Sequence, residues 1–288
     1  MPNWKIEEKP EFMDLYLKTS LNCSKLITNN YSTSFSIGIK SLHKKYHKAI
    51  YALYGFVRFA DEIVDTFYDH NRENLLSKFK KDTFEAINNK ISSNPVLHSF
   101  QWIVNDYNIN HELIHAFLKS MEMDLKNNSY DRSGYDEYIY GSAEVVGLMC
   151  LRVFYKNDDD NYEKLSISAK KLGQAFQKVN FLRDIKHDYH LRSRVYFPKV
   201  DFENFTNEDK VRIEKEIQKN FEEALTGILS LKKGVRFGVF VAYSYYLALF
   251  KKIQNASPEK ISNMRFRISN FRKLVILIKA YILLPFKY

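Results

Sequence analysis

Two stretches of this chain carry acidic side chains at a spacing that can bind a metal ion. In residues 177–188, Asn180, Asp184 and Asp188 recur every fourth residue, so on a helix they share one face. Gln177 lies one turn before Asn180, and Arg183 adjoins the middle carboxylate. Amide and carboxylate oxygens suit a hard cation such as Mg²⁺, which commonly shares its coordination with substrate phosphates. The plainer alternative is a solvated polar face, although like charges at that spacing cost a helix roughly 0.2–0.5 kcal/mol. A second copy of the device favours the metal. Residues 49–60 are almost wholly apolar or aromatic, the pattern of a helix buried nearly all round, and they run into Asp61 and Asp65. Carboxylates leaving a buried helix are costly unless paired or metal-bound. Arg58 stands one turn before Asp61, but a pair between them would account for one acid and not for Asp65. Two Asp-x-x-x-Asp pairs, distant in sequence and each with an arginine beside it, read as two walls of one diphosphate–metal site.

Four segments then resemble the squalene/phytoene synthase family of trans-isoprenyl diphosphate synthases. They are Tyr31-Ser-Thr-Ser-Phe, the run from Tyr54 to Asp65, the run from Tyr138 to Gly147, and residues 177–188 followed by Arg194-Val-Tyr-Phe-Pro. Their order and spacing match the family from about residue 31 to the C-terminal region, and the Asn-Phe-Leu-Arg-Asp-Ile phrase looks most like bacterial phytoene synthases. The resemblance implies an all-α, single-domain isoprenoid synthase bundle over residues 1–288, enclosing a central apolar cavity with both Asp-rich motifs at its mouth. It implies metal ligation by Asp61, Asp65, Asn180, Asp184 and Asp188. It places Ser34, Arg58, Gln177, Asn180, Arg183 and Arg194 on the diphosphates, and Tyr138, Arg58, Arg183 and Tyr246 in the catalytic machinery. Tyr31, where some relatives carry His, is given no role. Relatives usually show Val-Ala-Gly-x-Val-Gly where this chain has Ser142-Ala143-Glu144-Val145-Val146-Gly147. Glu144 is therefore a departure, expected to face a neighbouring helix or to pair with Arg152.

The implied chemistry is a Mg²⁺-dependent head-to-head condensation, with Mn²⁺ as a substitute. One prenyl diphosphate ionises, and the C2–C3 double bond of a second captures the cation. The resulting cyclopropylcarbinyl diphosphate ionises again and rearranges. Proton loss gives phytoene from two geranylgeranyl diphosphates or dehydrosqualene from two farnesyl diphosphates, whereas reduction by NADPH gives squalene. NADPH is not expected; the chain lacks a Gly-rich dinucleotide fingerprint. Tail length is not legible, because it depends on which side chains floor the cavity. Non-catalytic relatives would have lost the acids that this chain keeps, and a cyclising terpene synthase would carry a different second motif.

The elements that must position these residues are helical. With nine Gly and six Pro in 288 residues, the chain has few breaks and no low-complexity linker. Residues 12–30, 75–91, 96–107, 111–126, 135–155, 166–188, 205–231 and 237–253 read as helices. On the fourth of these, Leu113, Ile114, Phe117, Leu118, Met121 and Leu125 form the apolar stripe, and Asp124 is expected at the surface. His98, His111 and His115 have no ligand-like partner. The acids at 157–161 read as a loop, not a metal site, and residues 192–198 as an extended flap. Two cysteines, Cys23 and Cys150, give no disulfide framework and suggest a reducing compartment. The first ten residues read as flexible and carry no signal-peptide pattern, and no apolar run reaches spanning length. A net charge of +10 without a nucleic-acid motif points to anionic substrates and an anionic membrane surface rather than to nucleic acid. The tail, 265–288, mixes bases with Leu, Ile and Tyr and suits either a last core helix or an interfacial one. A cytoplasmic protein, either soluble or peripheral on the inner face of the membrane, is the expectation.

Overall fold

A computed structural model of the chain describes residues 9–126, 129–192, 194–202 and 204–284. In order, the helices are α1 (Lys9–Tyr31), α2 (Thr33–Lys40), α3 (Lys44–Asp65), α4 (Arg72–Asn89), α5 (Pro95–Tyr107), α6 (His111–Lys126) and α7 (Arg132–Ile139). A π-helical turn, Tyr140–Glu144, leads into α8 (Val145–Phe154). There follow α9 (Asp159–Arg192), α10 (Asn207–Ser230), α11 (Arg236–Gln254), α12 (Pro258–Asn263) and α13 (Asn270–Leu283). Among the described residues extended pairing is limited to one bridge between Ser129 and Val195.

The helix ends follow local chemistry. Ser32, Asn71, Asn94, Asp131, Thr206, Ser257 and Ser269 are N-caps whose side-chain oxygens accept from backbone N–H groups of the first turn. The acids at 157–161 are explained the same way. Asp159 and Asp160 occupy the first turn of α9, where the helix dipole favours negative charge, after Asn157 has turned the chain at φ 60°.

Buried apolar side chains from Leu21 to Ala280 form one continuous cluster. Its centre is α3, the helix whose apolar run precedes the first acid pair. Phe56 is fully buried and stacks on Phe100 of α5 with ring centroids 3.7 Å apart, while Phe79 of α4 and Phe117 of α6 each lie 5.5 Å away. With its upper part clamped on three sides, α3 delivers its last turn in a fixed orientation.

The single helix expected over 135–155 is interrupted. Its π turn falls where the backbone is approached from two sides: a Cβ on Gly141 would lie 2.5 Å from the carbonyl oxygen of Ala116 on α6, and one on Gly173 of α9 would lie 2.5 Å from that of Ala143. Gly147 makes a third such contact, 2.6 Å from the Ala169 carbonyl. Close packing of this segment against α9 thus survives the presence of Glu144, because the glycine is supplied from α9. Glu144 itself accepts a hydrogen bond from Gln174 Nε2 at 2.6 Å, and Arg152 pairs with Asp159 instead.

The flap expected over 192–198 is not one where the structure describes it. Arg192 still belongs to α9, Arg194, Tyr196 and Phe197 are buried, and Val195 is tied to Ser129, so 194–198 form an inner wall. Truncating Phe56→Ala removes the central ring and is expected to cost about 3–5 kcal/mol. Equilibrium denaturant unfolding checks this; a loss below about 1 kcal/mol would show that α3 is not clamped in this way.

Candidate active site

The end of α3 and the middle of α9 face each other across the mouth of a cavity of about 620 Å³. Arg58, Asp61 and Asp65 line it from α3, and Gln177, Asn180, Arg183, Asp184 and Asp188 line it from α9. Tyr138 of α7, Tyr246 of α11 and Arg194 of the inner wall complete the ring of expected residues. Ser34 is the exception. The cavity wall at α2 is formed by Ser32 and Phe35, and Ser32 Oγ is already engaged with the Phe35 N–H at 3.2 Å. Below the mouth the lining is apolar and includes Leu53, Val146, Leu172, Ile228 and Leu231.

The basic groups are distributed unevenly over the acids. Arg58 bonds to Glu62, one turn on, and stands 3.9 Å from Asp61; its guanidinium lies over the Tyr31 ring at 4.3 Å. Burial therefore dominates at Asp61, aided by the Asp65 and Asp124 charges and opposed by Arg58, and its carboxyl is pushed up to about 7. Asp184 is the opposite case. Burial works against its charge, but Arg183, donating through Nε at 3.0 Å, and Arg265, 2.7 Å away, hold its carboxyl below the usual range. Asn180 accepts from the Tyr246 hydroxyl and donates to Gln177, each at 3.3 Å, which orients the amide that begins the α9 stripe.

Asp124 corrects the expectation of a surface acid. Its side chain is 7% exposed and lines the cavity, accepting from Tyr138 at 2.8 Å and Tyr196 at 3.1 Å, with Arg194 at 3.8 Å. Arg194 also donates to Asp65 at 2.9 Å, so one guanidinium joins α6 to the first motif. Burial raises the Asp124 carboxyl to about 6. The sequence held a signal for this. Asp124 follows Met121 by three and Phe117 by seven residues, so it continues the buried stripe of α6 rather than leaving it. Arg265 is the other residue not foreseen; it comes from the link between α12 and α13, and no local pattern connects it to Asp184.

Aromatic faces line the space beneath the charges. Phe176 stacks on Tyr246 at 3.9 Å, Phe181 on Tyr196 at 4.1 Å, and Phe35 meets both Tyr54 and Tyr246 within 5.8 Å. Among the described residues no three His, Cys, Asp or Glu side chains converge into a self-contained metal cage. Each wall instead offers part of an oxygen-donor set, which fits a Mg²⁺ ion that takes its remaining ligands from phosphate.

An acid-walled mouth over a deep apolar cavity in a helical bundle is the arrangement of an isoprenoid synthase. The chain matches the family model described as Squalene/phytoene synthase over residues 28–272, and it belongs to that family. It is 28% identical over 201 residues to 4,4'-diapophytoene synthase of Staphylococcus haemolyticus, covering 67% of this chain and 66% of the relative. It is 25% identical over 280 residues to chloroplastic phytoene synthase 1 of Solanum lycopersicum, covering 87% and 65%. With presqualene diphosphate synthase of Sinorhizobium fredii it shares 30% over 187 residues, covering 63% and 64%. The chain thus spans just under two-thirds of the length of these relatives. A dehydrosqualene synthase structure superposes with a TM-score of 0.79 over 96% of this chain and 99% of that one at 23% identity, a likeness of fold.

The electrostatics make a signed prediction. Unfolded, Asp61 ionises near its ordinary 3.8; folded, it ionises near 7, so between these values the folded state binds more protons. The stability it contributes at low pH is therefore lost as pH rises from 3.8 to 7. Without divalent cations, Asp61→Asn is expected to melt at a higher temperature than the unsubstituted chain above pH 7, with the gap closing towards pH 4. Thermal melts across that range check it, and a variant that melts lower throughout would mean that Asp61 is already neutralised.

Proposed function

We propose that this chain joins two prenyl diphosphates head to head, and that its substrates are two C20 geranylgeranyl diphosphates giving phytoene. The observation that carries the reading is the cavity itself: acids and arginines at one end, aromatic and aliphatic walls along the rest. A diphosphate on a long hydrocarbon has the same division. The C20 choice is supported by similarity to phytoene synthases over most of the chain, as with the relative from Solanum lycopersicum. A C15 reading, with two farnesyl diphosphates, is favoured by the similarity to the diapophytoene synthase.

Placement supports the following roles. Asp61 and Asp65 on one wall and Asn180, Asp184 and Asp188 on the other would hold Mg²⁺. When bound, that ion neutralises charge on the leaving diphosphate. Arg58 and Arg183 stand at the same mouth and add fixed positive charge where the C1–oxygen bond breaks. Arg265, close to Asp184, is placed to exchange its carboxylate partner for a phosphate. The allylic cation is then attacked by the C2–C3 double bond of the second substrate. Loss of a proton closes the cyclopropane, the second diphosphate leaves, and after rearrangement a further proton is lost to give the polyene. Each turnover therefore releases two diphosphates. Phe35, Phe176 and Phe181 exclude water and turn π faces to the cationic stages. Burial raises the Tyr138 phenol well above its ordinary value, and its hydrogen is committed to Asp124, so Tyr138 acts as a neutral, positioned hydroxyl.

The test is a product analysis of the purified chain with Mg²⁺ and either geranylgeranyl or farnesyl diphosphate, with and without NADPH. An NADPH-independent C40 product supports the C20 reading, and a C30 product transfers it to farnesyl diphosphate. Accumulation of a cyclopropylcarbinyl diphosphate would place the chain with enzymes that stop at the first half-reaction. Turnover of neither substrate overturns the proposal. Asp184→Asn is expected to lower kcat by on the order of 100-fold or more with helical content intact, since it removes both a metal ligand and the group that positions Arg183. Unchanged kinetics would remove α9 from the metal site.

A further inference from the structure

Helix α13 carries large apolar side chains that the described residues leave mostly exposed. On α13, Phe271, Leu274, Ile278, Tyr281 and Ile282 are exposed by 77, 53, 51, 72 and 52%. Their spacing of three, four, three and one places all five on one stripe of the helix. The opposite side packs inward: Ala280 is 2% exposed, and the helix packs chiefly on α11. Isolated exposed apolar residues are ordinary on a protein surface, whereas five large ones on one helix face are not.

The charge around this stripe has a single sign. Residues 264–284 contain no Asp or Glu and carry Arg265, Arg267, Arg272, Lys273 and Lys279. At the start of α13 a cleft of about 430 Å³ is lined by Lys252, Arg267, Ile268, Ser269, Asn270 and Arg272, so three cations share a small open recess beside Phe271. Lys252 donates to the Arg267 carbonyl at 2.8 Å, which fixes the wall of this recess. Among the described residues no helix is long and apolar enough to cross a membrane. An apolar stripe bordered by bases and too short to span is the pattern of a helix that lies in a bilayer interface.

We propose that α13 docks this chain on the surface of an anionic phospholipid bilayer. The five stripe residues enter the headgroup–acyl boundary, and the Lys252, Arg267 and Arg272 recess receives headgroup phosphates. The absence of acids argues for an anionic lipid surface over a second copy of the chain, because two copies meeting through this face would bring like charges together. The inference stands apart from the substrate assignment. Its test uses binding alone, and the bases of the recess lie outside the cavity between α3 and α9.

The experiment is vesicle co-sedimentation of the full chain with phosphatidylcholine alone and with phosphatidylcholine mixed with phosphatidylglycerol. Binding is expected to the mixed vesicles, weakly or not at all to neutral ones, and to fall as salt is raised. Arg267→Glu with Arg272→Glu should reduce partitioning by about tenfold or more, as about 1 kcal/mol per base near such a surface implies. Phe271→Ser with Tyr281→Ser should reduce it comparably while circular dichroism stays unchanged. Equal sedimentation with and without vesicles overturns the proposal, as does undiminished binding by both double variants. A dimer in light scattering that the apolar variant dissociates, with no vesicle binding, also overturns it and assigns the face to a second copy.

Discussion

The mouth of this cavity is governed by the cost of holding carboxylates where water is scarce. One guanidinium does most to meet that cost: Arg194 bonds Asp65, stands 3.8 Å from Asp124, and is within 3.3 Å of the Tyr196 hydroxyl. Removing one partner from such a buried set leaves the others uncompensated, which costs more than the set contributes when whole. The end of α3, the end of α6, α7 through Tyr138 and the inner wall after α9 are therefore fixed to each other by charge as much as by packing. Asp61 lies outside that arrangement. The Arg58 guanidinium stands 3.9 Å from it and is bonded to Glu62 instead, so the acids of the mouth are not all paired alike.

Apolar packing makes the electrostatics possible. The π turn at Tyr140–Glu144, with glycines facing carbonyls on both α6 and α9, brings three helix backbones into close approach beside the cavity. Short separations there leave the lining to side chains such as Val146, Leu172 and Phe176, and little room for water between the helices. Charges held at the mouth then act on one another through a medium of low dielectric, where they are felt more strongly than in solution.

What was legible in the sequence and what was not divide along one line. The acid pairs were legible because their four-residue period is local, and α3 because a buried helix shows itself in an unbroken apolar run. Asp124 was misplaced for a reason that is also local: an acid at a stripe position was assigned to the surface by its type rather than to the core by its period. Glu144 illustrates the limit in another way. Its partner, Gln174, lies one helix away, and the nearer candidate, Arg152, is taken by Asp159. Ser34 and Ser32 differ by two positions, and only the register at the start of α2 decides which of them faces the cavity. Arg265 could not have been found at all without the fold, since its meeting with Asp184 depends on how α11 and α12 return the chain to the mouth.

The tail shows what burial adds where composition leaves alternatives open. Residues 265–288 suited a core helix and an interfacial helix equally, because both need a continuous apolar sector; the structure describes them as far as 284. A core helix spends that sector on its neighbours. Here the neighbours of α13 take the side marked by Ala280, while Phe271 is left 77% exposed and Tyr281, although its ring edge meets Phe237 of α11 at 6.0 Å, stays 72% exposed. Lys273, on the packed side, reaches Thr33 at the start of α2, which anchors the helix beside the same cavity wall that carries Ser32 and Phe35. The exposed face is thus held in a fixed position near the mouth, and its direction is set by packing on the opposite side of the same helix.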